Sequence, residues 1–367
     1  MPVKNLSDVT VKLTLSSLPN TGTALFAILT GGNDSSAHAH VYSSINGVDN
    51  DFDENSNVYA LVQHAFDVRD FNGQVEVIVA PSADVSTGAS ASAQPTGTGA
   101  SVTTSTNTIN RFVYALKQYI DDGFTYITDD NLKESDLEAV TDYLYANQSA
   151  AFVTQFSSIA AFETFQAYSS KNQTRTDNKL NGVSALVVTN GHQPAVQLIA
   201  QAAQINQDSG GVDVAKIGDL SEFVPDDNLT REDLKQISSL RGSAIVDKAG
   251  MNMMMTGFSL GANYLDNFVN TKVVKDYFQY RLQRALNDIK TRSYDQDTIN
   301  FLFSIAKSAG QDLAERNFLA EEPEIEKIDM PNVSNADIEN RAYNGLTVKA
   351  QISGSVESIT IPINIAE

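Results

Sequence analysis

The chain opens on an alternation of apolar and polar positions. Val9, Val11, Leu13 and Leu15 are separated by Thr10, Lys12 and Thr14, a period of two that predicts a strand with one buried face. Leu18-Pro19-Asn20 interrupts it, and Thr23 to Leu29 reads as a buried strand ending at Gly31-Gly32. Val58, Leu61, Val62, Ala65 and Phe66 then recur at helical spacing, and Val75, Val77 and Val79 predict a strand stopped by Pro81. Past residue 109 helix and strand take turns. Helices are expected around Phe112–Ile120, Leu137–Tyr145 and Phe162–Tyr168. Strands are expected at Phe124–Thr128, Ala151–Phe156 and Val183–Val188. The last of these is almost continuous Val and Leu, as a strand covered on both faces should be. Pro194 suits a helix start, and Thr230 with Asp233 three residues on suits another. Val214–Ile217, Ala244–Val246 and Met251–Met255 read as further short strands. Repeated alternation of this kind predicts an α/β fold: a mostly parallel sheet flanked by helices.

The final third changes character. Tyr264 to Thr291 predicts the longest helix, with Val274, Phe278, Leu282, Ala285 and Ile289 in one stripe. Asp297 to Ala309 predicts another helix, and Glu321 to Glu326, broken by Pro323, reads as an acidic connector. Leu346, Val348, Ala350 and Ile352 alternate with polar residues. After a turn at Ser353-Gly354-Ser355, Ile359, Ile361, Ile363 and Ile365 repeat at period two. Four Ile side chains on one face need a partner, because a lone hairpin is marginal. Amphipathic β segments thus stand at both ends of the chain, outside the α/β pattern. Edge strands of this kind recruit other chains, and strand addition is the recurring physics that uses them.

Composition narrows the field. The 25 Lys and Arg against 45 Asp and Glu leave a net charge of -20, which repels phosphate backbones and anionic lipid. Direct nucleic-acid binding and stable membrane insertion are therefore not expected, and nothing reads as a signal peptide or a membrane span. Cys is absent, which removes disulfides, thiolate catalysis and thiolate-bound zinc. Of residues 81–108, 21 of 28 are Ser, Thr, Gly or Ala, with Asp84 the one charge. So little apolar surface cannot offset ordering entropy, and the stretch reads as a loop or linker between two lobes.

Candidate chemistry is thin. Gly257-Phe258-Ser259-Leu260-Gly261 spells G-x-S-x-G between an apolar strand and a helix, the setting of a nucleophile elbow. That elbow needs a His after the Ser, yet His38, His40, His64 and His192 all precede it. A serine hydrolase using Ser259 is the weaker alternative, and the chain is expected not to be an enzyme. Thr30-Gly31-Gly32-Asn33 lacks the Lys and spacing of a nucleotide loop. His38 and His40 share one side of a strand but find no third ligand at a recognisable spacing. Asp49, Asp51 and Asp53 imitate a calcium loop, but Glu54 stands where its Gly belongs and Ala60 where its bidentate Glu belongs. No cofactor and no metal are expected. The Met251, Met253, Met254 and Met255 cluster reads as core filler. Lys272, Lys275, Arg281, Arg284, Lys290 and Arg292 outnumber Asp276 and Asp288 locally, which fits a charged helix or a surface for an acidic protein partner.

Four stretches, taken in order, resemble the contractile phage tail sheath proteins, in the compact form found in small myoviruses. They are Asn5 to Gly32, with its Pro-Asn-Thr-Gly junction; Val41-Tyr42-Ser43-Ser44-Ile45 through Tyr59 and then Val75 to Ala80; Gly250 to Ala309, with Tyr294-Asp295-Gln296-Asp297; and Asn344 to Ala350 with the Ile-rich ending. The resemblance implies a structural subunit that stacks as hexameric rings around a tail tube. Contraction of such a sleeve drives the tube through the host envelope. Matching by position makes Val9, Val11, Leu13 and Leu15 the N-terminal arm and Ile359, Ile361, Ile363 and Ile365 the C-terminal arm. With Leu346 and Val348, these residues would pair strands between subunits. Lys272, Lys275 and Arg284 become candidate tube-facing residues. The implied organisation is an arm over 1–20, a sheath core over 21–80 and 241–343, the linker over 81–108, an outward α/β domain over 109–240, and a second arm over 344–367. Implied partners are further copies, the tail tube protein, and baseplate and tail terminator proteins, in a virion tail assembled in the host cytoplasm. A non-contractile filament or surface-layer protein using the same pairing is the main alternative.

Overall fold

The computed structural model describes residues 24–87, 107–169, 179–208, 210–288 and 294–354. Its centre is a six-stranded sheet of β1 (Leu25–Gly31), β2 (His38–Tyr42), β3 (Gln74–Ala80), β6 (Tyr126–Asp129), β7 (Ala151–Phe156) and β8 (Val183–Val187), in the order β2-β3-β1-β6-β7-β8. All pairs are parallel except β2 with β3. A parallel sheet needs helices on both faces, and the side chains divide accordingly. Phe26, Ile28, Val75, Val77, Tyr126 and Val153 face α1 (Asn57–Phe66) and α5 (Pro194–Asp208). Ala27, Leu29, Ile78, Ile127, Phe152 and Ala185 face α2 (Arg111–Tyr119), α3 (Glu134–Asn147), α4 (Ile159–Ser169) and α6 (Arg231–Ser239).

Local signals read from the sequence hold where the chemistry is strong. Thr230 and Asp233 form a reciprocal capping box at the start of α6. Ser56 and Asn110 cap α1 and α2 through backbone N–H groups. Val214–Lys216, expected as a strand, is a 3-10 turn, because the Asp213 carboxylate accepts from Ala215 N and closes the backbone on itself. β9 (Ile245–Lys248) and β10 (Met251–Met254) form a separate antiparallel hairpin turned by Ala249 and Gly250, both at positive φ.

Segments 21–80 and 109–240 share one sheet, since β1 pairs with β3 on one side and β6 on the other. The ends of the Ser/Thr-rich stretch are closed by β4 (Val85–Thr87) against β5 (Asn107–Ile109), and Arg111 donates to the Pro81 and Ser82 carbonyls. The period-two segments of the two arms, residues 9–15 and 359–365, lie outside the described residues, whereas residues 344–354 of the second arm are described. No helix among the described residues is long and apolar enough to cross a membrane.

Candidate assembly surface

A third core lies apart from the two faces of the sheet. α7 (Leu265–Asp288) begins against the sheet through Leu265, Phe268 and Val269, then runs on to pack Val274, Phe278 and Leu282 against α8 (Gln296–Glu315). Ala306, Ala309, Leu313 and Phe318 complete this core. Fully burying a side chain of the Leu or Phe class is worth about 1.5–3 kcal/mol, so this small layer holds together by a few contacts. Arg281 pairs with Asp312 across the two helices. Its guanidinium also donates to Tyr277 Oη at 2.6 Å and to Ser308 Oγ at 3.2 Å.

On this layer lies a two-stranded antiparallel ribbon, β11 (Glu324–Lys327) and β12 (Leu346–Lys349). Glu324 pairs with Lys349, Ile325 with Val348, and Lys327 with Leu346. Ile325, Leu346, Val348 and Ile352 turn toward α7 and α8. The opposite face carries Glu324, Glu326, Thr347 and Lys349, all exposed. Lys349 Nζ sits 2.6 Å from Glu326 and 3.5 Å from Glu324, and the Glu326 hydrogen bond holds its ammonium above the ordinary lysine value. The pairing continues past β12, where Ala320 N donates to Gln351 O and Ser353 N donates to Phe318 O. Among the described residues no strand pairs with the outer edge of either β11 or β12.

The residues read as sites from the sequence separate. Leu346 and Val348 pair within their own chain through one edge of β12. Val9, Val11, Leu13, Leu15, Ile359, Ile361, Ile363 and Ile365 fall outside the described residues. Lys272 is buried and spends its charge on Asp276 at 2.6 Å, with both side chains under 8% exposed. Lys275 is half-buried, and burial pushes its ammonium below the ordinary value. Arg284 is exposed, with its guanidinium 3.2 Å from Tyr280 Oη. Only the last two present a cation outside a buried pair. β11 was missed because Pro323 and three charged side chains mask its alternation; the period-two Glu-Ile-Glu-Lys was the available signal.

The chemical candidates resolve into structural roles. Ser259 is fully buried, and its Oγ donates to the Asn263 carbonyl at 3.0 Å. Arg241 closes the same loop, donating to the Ser259 and Asn263 carbonyls and stacking 4.0 Å from the Phe258 ring centre. The G-x-S-x-G sequence is thus a clamped turn leading into α7. Asp51 accepts from Tyr42 Oη at 2.6 Å and lies 3.2 Å from His40 Nδ1, bracing the loop against β2. Thr30 Oγ1 donates to Asp130 at 2.7 Å, tying β1 to β6. Met254 is fully buried, whereas Met251 is exposed at the hairpin turn. No group of three or more His, Asp or Glu among the described residues is placed to hold a metal ion.

Set against known structures, the whole of this chain superposes on 97% of a sheath-complex chain from an extracellular contractile injection system, PVC, in its contracted state. The TM-score is 0.64 at 12% identity. It superposes equally completely on 98% of a chain in the contracted anti-feeding prophage baseplate, with TM-score 0.63 and 12% identity. For the six-fold symmetrised baseplate of that particle the values are 99%, 0.60 and 11%. The fold is that of a contractile-system sheath chain. No protein-family model and no curated protein matches the sequence. At this identity the likeness is one of backbone path, and it extends over the α/β body, the α7–α8 layer and the ribbon together.

Proposed function

We propose that this chain is the sheath subunit of a contractile tail or tail-like particle. Copies stack as hexameric rings around an inner tube, bounded by baseplate and terminator proteins, and contract to drive that tube through an envelope. The observation that carries this reading is the ribbon: two short strands whose outer edges are unpaired among the described residues, followed in sequence by four alternating Ile. An open edge supplies unpaired N–H and C=O groups, and an arm from another copy satisfies them while burying its apolar face. Each backbone hydrogen bond nets about 1 kcal/mol and each buried Ile roughly 1.5–3 kcal/mol, enough to tether copies that slide elsewhere. Arg284 and Lys275 are the cations offered to an inner tube. Energy for contraction is a difference in packing between two lattices, which needs no nucleotide or metal.

Deletion of residues 355–367 tests the reading. The truncated chain is expected to stay folded by circular dichroism and to form no sleeves by negative-stain microscopy. Long sleeves from the truncated chain would overturn the arm mechanism. Tubes of one length only, under every condition, would favour a fixed filament.

A further inference from the structure

Among the described residues, two links join the α7–α8 layer to the α/β body through named contacts. One link is α7 itself. The other is a junction of backbone atoms where the end of α8 sits on the turn after α5. Gly211 N donates to the Arg316 carbonyl at 3.1 Å. Gly210 has φ +113°, and a Cβ there would overlap the Arg316 carbonyl oxygen; a Cβ on Gly211 would lie 2.5 Å from the Asn317 oxygen. Both positions therefore exclude any side chain. The Arg316 guanidinium reaches across to the Asn206 carbonyl at 3.2 Å and lies over the Phe318 ring. Asn206 in turn donates to Gly210 O at 2.9 Å and accepts from Tyr126 Oη, on β6, at 2.6 Å. Val212 and Asn270 exchange two further bonds that seat the turn on α7.

The place of this junction gives it meaning. Phe318, two residues past Arg316, accepts from Ser353 N, the last backbone pair before Gly354. A continuous series of covalent and hydrogen bonds thus runs from Ser353 through Phe318 and Arg316 to Gly210 and Gly211, and on through Asn206 to β6. We propose that Gly210, Gly211 and Arg316 are positioning residues of a mechanical anchor, which carries tension on the C-terminal segment into the central sheet. The inference rests on the sheath reading, in which another copy grips that segment. Without the anchor the ribbon's hydrogen bonds, each worth about 1 kcal/mol, meet the load one at a time and peel from α8. With it, the bond nearest the load is backed by the sheet.

The chain contains no cysteine, so thiol handles can be placed at will. Gly354→Cys occupies open space, and Ser35 and Ser135 are exposed. The full-length chain is pulled between positions 35 and 354, along the terminal axis, and between 35 and 135, within the body. Arg316→Ala and Gly211→Ala are each expected to raise the unfolding rate at fixed force about tenfold on the terminal axis and less than about twofold on the body axis. Equal changes on both axes would reduce the junction to ordinary stabilisation and overturn the proposal, as would no change on the terminal axis. If Gly211→Ala does not fold, Arg316→Ala decides alone, since it leaves the backbone contact intact. Sleeve formation is scored separately on the parent chain. Sleeves with an unmoved terminal axis sink the anchor only, whereas a chain that never forms sleeves sinks the sheath reading.

Discussion

The α/β body and the α7–α8 layer are built from one chain on opposite terms. In the body, six consecutive residues of β1 are buried, and both faces of the sheet are covered by helices. In the layer, β11 and β12 alternate half-buried with exposed, one face on α7 and α8 and the other in water. The body has spent its surface internally. Among the described residues, the layer leaves the outer edges of β11 and β12 unpaired and one charged face of the ribbon exposed.

Substitution in each core is the strongest way to break that contrast. Phe152→Ala, in a fully buried body position, is expected to cost about 3–5 kcal/mol and lower the urea midpoint of the whole chain. Leu313→Ala, equally buried in the layer, is expected to cost about 2–5 kcal/mol, with faster hydrogen exchange in α8 and the ribbon and unchanged exchange in β1 and β6. Uniform loosening by both would erase the distinction.

The buried Lys272–Asp276 pair lies on the helix the two regions share. Lys272→Met alone strands a buried carboxylate and is expected to cost about 3–5 kcal/mol in a denaturation experiment. The double variant Lys272→Met, Asp276→Leu should recover most of that loss, because it removes both charges together. A double variant as unstable as the single would place the cost in packing.

Asp129, at the carboxyl end of β6, is pushed up to about 6 by burial, against hydrogen bonds that lower it. A carboxyl whose folded pKa is raised binds its proton more tightly when folded. Its contribution is therefore full below about pH 4 and is lost as pH rises through 6. Asp129→Asn is expected to be the more stable form above pH 6, by on the order of 2 kcal/mol, with the gap closing between pH 6 and 4 in thermal melts. A pH-independent gap would contradict the burial argument. The smallest effect belongs to the ribbon's exposed face: Lys349→Ala should leave the melting curve within experimental error, since all three side chains of its glutamate contacts are more than half exposed.

Much of the body was legible because its signals are local and redundant. Val183 to Val188 has no polar face to place in water, and Thr230 with Asp233 can satisfy the first N–H groups of only one helix start. Legibility failed where local patterns were short or masked by charge. Val214–Lys216 carried too few residues to distinguish a strand from a turn, and Glu324-Ile325-Glu326-Lys327 looked like a connector until Lys349 stood opposite its carboxylates. Ser259 was legible as a motif but not as a buried donor, since the position of Arg241 and Asn263 around it is a matter of folding.

Periodicity, caps and charge balance are properties of neighbouring residues, so the sequence alone determined the parallel α/β body, the two long helices of the final third and the amphipathic character of both ends. Contacts between distant segments are not encoded in any window. That β1 lies between β3 and β6, that other elements shut the i,i+4 pair Lys272–Asp276 away from water, and that two glycines seat the end of α8 on the body were decided only by tertiary structure. The physical reason is that each depends on which surfaces remain to be buried once the local elements have formed.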